Sequence, residues 1–111
     1  MAFDESLLIR MREALVELGL TKAEEKFMFG GMCFMVRGHM CVGIAKNDLM
    51  CRVGVEAHQK LADEPGCRPM DFTGRAMKGY LFVSSDVLQK KSDLKFWLQH
   101  CINFNNTLKQ R

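Results

Sequence analysis

The segment that decides the fold reads MCFMVRGHMCVGIA and covers residues 32–45. It consists of two short apolar runs that are separated by Arg37-Gly38. A two-residue connection between apolar runs is typical of a tight β-hairpin turn. A third apolar run begins at Leu49, after a second two-residue turn at Asn47-Asp48. The segment therefore predicts a meander of three antiparallel strands.

Helical patterns flank this meander. Near the N-terminus, apolar side chains recur at spacings of three and four: Leu7, Leu8, Met11, Leu15 and Leu18. This spacing predicts a helix over residues 4–18 with Asp4 as its cap. A short helix is expected over residues 55–63, before Pro65-Gly66, and a last helix is expected to start at the cap Ser92 and to include Trp97.

Two further strands are expected at residues 68–72 and 77–83, joined by the turn residues 73–76. The complete order is then α-β-β-β-α-β-β-α. Helices that are separated by groups of short strands are typical of the α+β class. The sequence thus predicts a two-layer α+β fold in which helices pack on an antiparallel sheet.

Composition places the whole chain, residues 1–111, in one globular domain, because 111 residues provide for a single hydrophobic core. Hydrophobic residues make up 48% and charged residues 26%, as in ordinary folded domains. No apolar run approaches the roughly 20 residues that span a bilayer. The acidic N-terminus is unlike a signal peptide. We therefore expect a cytoplasmic protein that does not enter a membrane.

Pairing across the predicted turns assigns side chains to the two faces of the sheet. If both turns are two residues long, Met35 lies opposite Met40, and Ile44 lies opposite Cys51. These residues would face the helices. The other face would then include four large apolar residues: Met32, Phe34, Val36 and Met50.

This second face is more apolar than a solvated sheet face should be. Three helices cover one face of a sheet well, so either the terminal helices wrap around the second face or another protein chain covers it. Large exposed apolar patches usually mark such interfaces. We therefore predict a homodimer or a protein partner, with the interface at Met32, Phe34, Val36 and Met50.

Cations near the second hairpin form another candidate site: Arg52, Arg68, Arg75 and Lys78. Guanidinium and ammonium groups bind carboxylates, phosphates and nucleic-acid backbones. The same residues also occur as ordinary solvated charges on turns. Because the net charge is only +3, direct nucleic-acid binding is the weaker alternative to an acidic protein partner.

No pattern in the sequence predicts catalysis, a metal site or a cofactor. Zinc is bound by thiolates and imidazoles, but the predicted strands direct the available ligands to both sheet faces: Cys33, Cys41, Cys51 and His39. Five cysteines cannot all pair within one chain, so reduced thiols are expected. Cys67 alone has a feature that could favour reactivity, because the neighbouring Arg68 could lower its pKa, but an inert loop cysteine is the expectation.

Several short motifs together resemble the TfoX/Sxy N-terminal domain family. They are Met28-Phe29-Gly30-Gly31, Phe34 to Val36, Arg52-Val53, the segment PMDFTGR at residues 69–75, Met77-Lys78-Gly79-Tyr80 and the helix that contains Trp97. The resemblance covers nearly the whole chain. It implies the order α-β3-α-β2-α and a role in bacterial gene regulation, with competence as the namesake process, through co-regulatory contacts. It implies no catalytic residues.

The namesake regulators carry a second, C-terminal domain, so this chain is expected to be a stand-alone N-terminal domain. The leading hypothesis is a non-enzymatic interaction module, homodimeric, that binds a regulatory protein partner. One alternative is direct nucleic-acid binding through the basic hairpin. The other is a binder of small anionic ligands, or an enzyme acting on them, with its site near Arg75 and Lys78.

Overall fold

A computed structural model describes residues 3–72 and 74–109. Its helices are α1 (Glu5–Glu17), α2 (Gly54–Leu61) and α3 (Lys91–Asn105), and a 3-10 turn covers Ser85–Val87. Its strands are β1 (Glu24–Met28), β2 (Gly31–Val36), β3 (His39–Ala45), β4 (Asp48–Arg52), β5 (Cys67–Phe72) and β6 (Arg75–Ser84). Thr73, within the predicted last turn, lies outside the described residues.

The strands form one antiparallel sheet in the order β1-β2-β3-β4-β6-β5. Apolar side chains from all three helices pack against one face of this sheet, in what we call the helix-side core. The predicted α+β fold, with helices on an antiparallel sheet, is confirmed. Within the described part of the chain, no helix has the length and apolarity that crossing a membrane requires.

The structure contains one strand more than the sequence predicted, because β1 precedes the meander. Its sequence is EEKFM and four of its five residues are exposed, so it lacks the apolar alternation by which strands are recognised. The hairpin to β2 turns at Phe29-Gly30, where both residues have positive φ angles (54° and 74°), as a type I′ turn requires. The next residue is Gly31. A Cβ there would lie 1.9 Å from the carbonyl oxygen of Ile44, so two backbones meet closely at this motif.

The hairpin between β2 and β3 contains a bulge that the sequence did not reveal. Its turn is Arg37-Gly38, and Met35 lies opposite Met40 as predicted. Beyond this pair the register shifts, since Phe34 pairs with Val42. Cys41 is therefore the additional residue on β3, and such a residue reverses the facing of every position that follows it along the pair.

The bulge makes the predicted assignment of β2 to the two faces wrong. Met32, Phe34 and Val36 are buried in the helix-side core, beneath the chain's own helices. Cys33 and Met40, which were expected in that core, belong to the cluster on the opposite face. An interface made by Met32, Phe34 and Val36 is therefore excluded by their position.

The next hairpin also differs from its predicted form, but without exchanging faces. Ala45 pairs with Asp48, so the turn residues are Lys46 and Asn47 rather than Asn47 and Asp48. Ile44 consequently pairs with Leu49 instead of Cys51. A shift of two residues preserves the alternation. Leu49, Cys51 and Val53 accordingly lie in the helix-side core, as predicted.

The helix ends follow simple capping chemistry. The carboxylate of Asp4 accepts hydrogen bonds from the backbone N–H groups of Ser6 (2.9 Å) and Leu7 (3.2 Å), as predicted for α1. The predicted cap of the last helix is displaced, because α3 begins at Lys91 and Ser92 lies inside it.

The two edge strands, β1 and β5, differ in their ability to pair with a further strand. Strand β5 contains Pro69, which has no backbone N–H and is tolerated only where a strand is not fully paired. Strand β1 contains no proline.

Candidate functional site: the methionine face

The sheet face that turns away from the helices is rich in methionine. Its side chains form a second cluster, which we call the methionine face; the buried members are Cys33, Met40, Met50 and Met70, and the partly buried ones are Met28, Phe29, Met35, Ala45, Met77, Tyr80 and Phe82. Six of the nine methionines of the chain are among them. None of these residues belongs to a helix.

Gly43 lies at the centre of the methionine face. It pairs with Cys33 on one side and with Met50 on the other. A Cβ at Gly43 would lie 2.9 Å from the Cys33 Sγ atom and 2.9 Å from the Met50 Cε atom. Both side chains therefore lean over the glycine and fill the space that it leaves. The centre is packed by the sheet itself, while the surrounding side chains stay partly exposed.

The chemistry of this face suits a contact surface. Methionine is unbranched and polarizable, so it adapts its shape to different apolar neighbours and is common on surfaces that bind several partners. Exposed apolar patches on a protein surface often mark interaction sites. Of the predicted apolar interface residues, only Met50 lies here, and it is fully buried.

Sequence reasoning missed most of this face, including Met35, Met40 and Met70. The register placed the first two beneath the helices, because the bulge at Cys41 could not be inferred from alternation. Composition held the usable signal. Nine methionines in 111 residues is a large number, and methionine is the residue that adaptable surfaces favour.

Arg52 lies at one end of the methionine face, where its guanidinium is held between two rings. The Arg52 Cζ atom is 5.4 Å from the ring centroid of Tyr80 and 5.5 Å from that of Phe104. Within the described part of the chain, Arg52 forms no ion pair with a carboxylate. Contacts of this kind fix a guanidinium without neutralising it. Arg52 is thus a preoriented cation that remains available to an acidic group.

Arg68 is already engaged within the chain. It donates two hydrogen bonds to the Asp48 carboxylate, at 2.8 and 3.3 Å, and it stacks over the ring of Phe82 at 5.0 Å. Hydrogen bonding to Asp48 raises the pKa of Arg68 above its ordinary value. The Asp48 carboxylate neutralises the charge of Arg68. We therefore expect Arg68 to attract an anion less strongly than Arg52 does.

Arg75 and Lys78 are on the projecting end of the β5–β6 hairpin, where both are exposed. Arg75 pairs with Phe72, which is four residues along β5 from Arg68, a separation of roughly 13 Å between the strand positions. Among residues 3–72 and 74–109, neither side chain forms an ion pair. The four predicted cations therefore do not converge on one point.

A cavity of about 890 Å³ lies beside the methionine face. Phe29, Gly30, Asp48, Arg68 and Phe82 are among the residues that line it, whereas Arg75 and Lys78 are not. The predicted anion site near Arg75 and Lys78 thus does not coincide with this cavity. The cavity does connect a predicted cation, Arg68, to the Phe-Gly-Gly motif.

The cysteines lie in surroundings that disfavour the reactive thiolate. All five are free. Burial raises the pKa of Cys33 to about 11, and burial followed by the charge of Glu64 raises the pKa of Cys67 to about 11. The pKa of Cys67 is therefore raised rather than lowered, and Arg68 does not activate this thiol. Consecutive strand residues point to opposite faces, so Cys67 packs on the helix-side core while Arg68 binds Asp48 over the other face.

In the described part of the chain, no group of three or more His, Cys, Asp and Glu side chains lies close enough together to hold a metal ion. His39 contacts the backbone oxygen of Lys109 at 2.6 Å. Cys101 lies against Cys51 and Cys41 inside the helix-side core, and burial is the main cause that raises the pKa of Cys101.

The glycine of the Met77-Lys78-Gly79-Tyr80 motif has a structural role. Gly79 adopts a positive φ of 84° and its carbonyl accepts a hydrogen bond from the backbone N–H of Val53 at 2.9 Å. A Cβ at Gly79 would approach the backbone of Gly54 to 3.0 Å. This motif therefore joins β6 to the start of α2 and positions Tyr80 beneath Arg52.

Comparison with protein-family models gives a match that agrees with this architecture. The model described as the TfoX N-terminal domain matches residues 4–105. Comparisons with the curated proteins and with the solved structures found no match.

Proposed function

Because the chain belongs to the TfoX N-terminal domain family, we propose that it is a non-enzymatic interaction module of bacterial gene regulation. In this role it acts in the cytoplasm as a homodimer that binds a regulatory protein partner, in the manner of a co-regulator. The proposed role rests on membership of this family, and the geometry of the sheet supports a contact surface for it.

The methionine face is the observation that supports this proposal. It is an apolar sheet face without a helix over it in the described residues, and its rim of partly buried side chains surrounds a packed centre. A protein partner would bury this rim and gain the free energy of removing apolar area from water. A catalytic role would instead need a nucleophile, base or paired carboxylates, and the thiol pKa values run against the first of these.

Arg52 indicates the charge that such a partner would carry. Its guanidinium is oriented by Tyr80 and Phe104 and has no carboxylate of this chain beside it, as far as the described residues extend. A preoriented arginine next to an apolar surface suits a segment that combines apolar side chains with an aspartate or glutamate. We therefore expect an acidic, amphipathic segment on the partner.

Affinity capture from the native host tests the proposal. Met35→Glu places a carboxylate on the partly exposed rim, and burying an unpaired charge against a partner costs several kcal/mol. The partner retained by the wild-type chain should be retained more than about tenfold less by this variant. Val55→Glu is the matched control, because Val55 is an exposed apolar residue of α2.

Circular dichroism must show that the Met35→Glu variant remains folded. Retention of the same partner by both variants would exclude the methionine face as the contact surface. Loss of the partner from both variants would show that the effect of the added charge is not specific to the methionine face, and would contradict its assignment as the contact surface.

Direct nucleic-acid binding is the second candidate, and the projecting hairpin is the observation that favours it. Arg75 and Lys78 are exposed cations without a carboxylate partner among the described residues. Two cations form a small footprint, however, compared with the 6–10 phosphate contacts that give strong, salt-dependent binding.

A further inference from the structure

We propose that the outer edge of β1 joins two copies of this chain into a homodimer with one continuous sheet. We define the β1 edge as strand Glu24–Met28 together with Ile9 and Val16 of α1. This inference rests on the proposed homodimeric role and assigns it a surface. That surface is distinct from the methionine face, which remains for the regulatory partner.

The first observation is that, among the described residues, no strand pairs with the outer side of the edge strand β1. It pairs with β2 on one side, and four of its five residues are exposed. The outer side of an edge strand presents unpaired backbone N–H and C=O groups, which are a template for another strand. The opposite edge is less suitable, because β5 contains Pro69.

The second observation is the distribution of exposed hydrophobic residues. Among the described residues, five large hydrophobic side chains are exposed, and three of these are at the β1 edge: Ile9 (51%), Val16 (59%) and Phe27 (72%). Phe27 contacts the ring of Phe3 at 6.5 Å between centroids but otherwise faces solvent. A single exposed apolar residue needs no explanation, whereas three at one edge indicate a contact.

The orientation of α1 follows from its polar contacts. Arg12 faces β1, since its guanidinium binds the Glu25 carboxylate at 2.7 Å. At 3.6 residues per turn, Ile9 and Val16 lie only about 60° and 40° from Arg12 around the helix. The exposed apolar side chains of α1 therefore lie on its outward face, nearer to the flank that binds β1 than to the flank that contacts α3.

The opposite flank of α1 is occupied by α3 and by the segment before it. Arg10 donates to the backbone oxygen of Leu88 at 2.6 Å, and Glu17 binds Lys91 at 2.8 Å and Lys95 at 2.7 Å. A further helix can thus pack on α1 from its outward face or from the β1 side, but not from the α3 side. A two-fold axis at the outer edge of β1 and perpendicular to the sheet supplies one, because it places α1 of the second copy there.

Charge complementarity selects the register. Antiparallel pairing of β1 with its copy, centred on Glu25, places Glu24 opposite Lys26 of the second copy, and the symmetry repeats this pair. The two Glu25 carboxylates would be neighbours, but each is bound by the Arg12 of its own chain. A register centred on Lys26 would instead oppose the two lysines and form no pair of opposite charge. Directly opposed charges stabilise or destabilise a strand pair according to their signs.

Charge exchange tests this register. Sedimentation equilibrium at micromolar concentration should show a dimer for the wild-type chain. Glu24→Lys alone and Lys26→Glu alone each convert two attractive pairs into repulsive ones, so each should weaken the dimer about tenfold. The double variant Glu24→Lys/Lys26→Glu restores opposite charges and should regain an affinity within about threefold of the wild type.

Glu56→Lys is the matched control for the single change of charge, because Glu56 is exposed on α2. It should leave the dimer unchanged. A wild-type chain that is monomeric under these conditions overturns the inference. Single variants that dimerise like the wild type, or a double variant that stays weak, overturn this register and edge.

The apolar contact has its own test. Phe27→Ser removes the most exposed apolar ring of the edge and should weaken the dimer more than about tenfold. Val55→Ser, which removes an exposed apolar side chain from α2 (54% exposed), should leave it unchanged. Equal effects of both changes would overturn the assignment.

Failure of the dimer and failure of the proposed function are distinguishable. A monomer that still loses its partner when Met35 becomes glutamate would retain the methionine face and reject the β1 edge. A dimer that responds to charge exchange, but captures no partner, would retain the β1 edge and reject the methionine face as the contact surface.

Discussion

At the scale of single residues, Phe34 and Met35 show how one bulge decides which side chains pack in the core and which lie on the methionine face. Phe34 is 3% exposed in the helix-side core, and its neighbour Met35 lies partly exposed on the methionine face. Strand alternation predicted that these two residues face opposite sides, which is confirmed. Which side each faces could not be predicted, because the additional residue Cys41 leaves no mark in the apolar pattern.

Truncation of these two residues should therefore give different results. Phe34→Ala removes a ring from a packed core and should lower the free energy of unfolding by about 3–5 kcal/mol. Met35→Ala removes a partly solvated side chain and should lower it by about 1 kcal/mol. Chemical denaturation of both variants measures this. Equal losses would contradict the assignment of the faces.

Elements show the same division between what sequence predicts and what it does not. The amphipathic spacing in α1 and the two-residue turn at Arg37-Gly38 were sufficient to predict those elements. Strand β1 was missed because its charged sequence is stabilised by tertiary pairing with β2 rather than by an apolar alternation. The turn at Lys46 was displaced by one residue, since Lys46 itself adopts a positive φ of 55°, which its residue type does not suggest.

The β5–β6 hairpin is the element that tests nucleic-acid binding. If Arg75 and Lys78 contact phosphates, affinity should fall with increasing salt, because bound phosphates release counterions. The double variant Arg75→Ala/Lys78→Ala should then reduce the slope of log affinity against log salt by about two. Fluorescence anisotropy with a short duplex measures it.

Lys60→Ala/Lys90→Ala, two exposed cations elsewhere on the surface, is the control for net charge. If both double variants have the same salt slope, the hairpin is not the binding element. Binding that does not respond to salt would exclude phosphate contacts altogether.

At the scale of the whole molecule, the cysteines link stability to alkaline pH. Burial raises the pKa of Cys33 and of Cys67 from 9.0 to about 11, and burial also raises the pKa of Cys101. A thiol whose pKa is higher in the folded than in the unfolded chain stabilises the fold fully below the unfolded value. The free energy of unfolding should therefore fall as the pH rises from about 9 through 11.

Chemical denaturation in a series of alkaline buffers, under reducing conditions, checks this expectation. Cys33→Ala replaces one of these thiols with a group that does not ionise, and the decline between pH 9 and 11 should become shallower in this variant. A stability that stays constant across this interval would contradict the burial of the thiols.

The architecture as a whole was predictable because layers follow from helix and strand patterns. For the contact surface, the sequence predicted that a second apolar face exists but not which residues form it. An excess of apolar residues over what one core needs did indicate a second apolar face, but the residues on it depend on the register. Met50 was assigned to that face correctly because the shift between β3 and β4 is even. The predicted cationic cluster failed because Arg68 and Arg75 lie at different positions along β5 and β6.

Pro69 has a consequence for how far assembly can proceed. A sheet with two pairing-competent borders can add molecules without end and form a filament. Here one border is interrupted by an imino acid, while the other is uninterrupted. In the proposed dimer, strand addition would use the uninterrupted border of each molecule at the first step, so assembly by this route would stop at two copies.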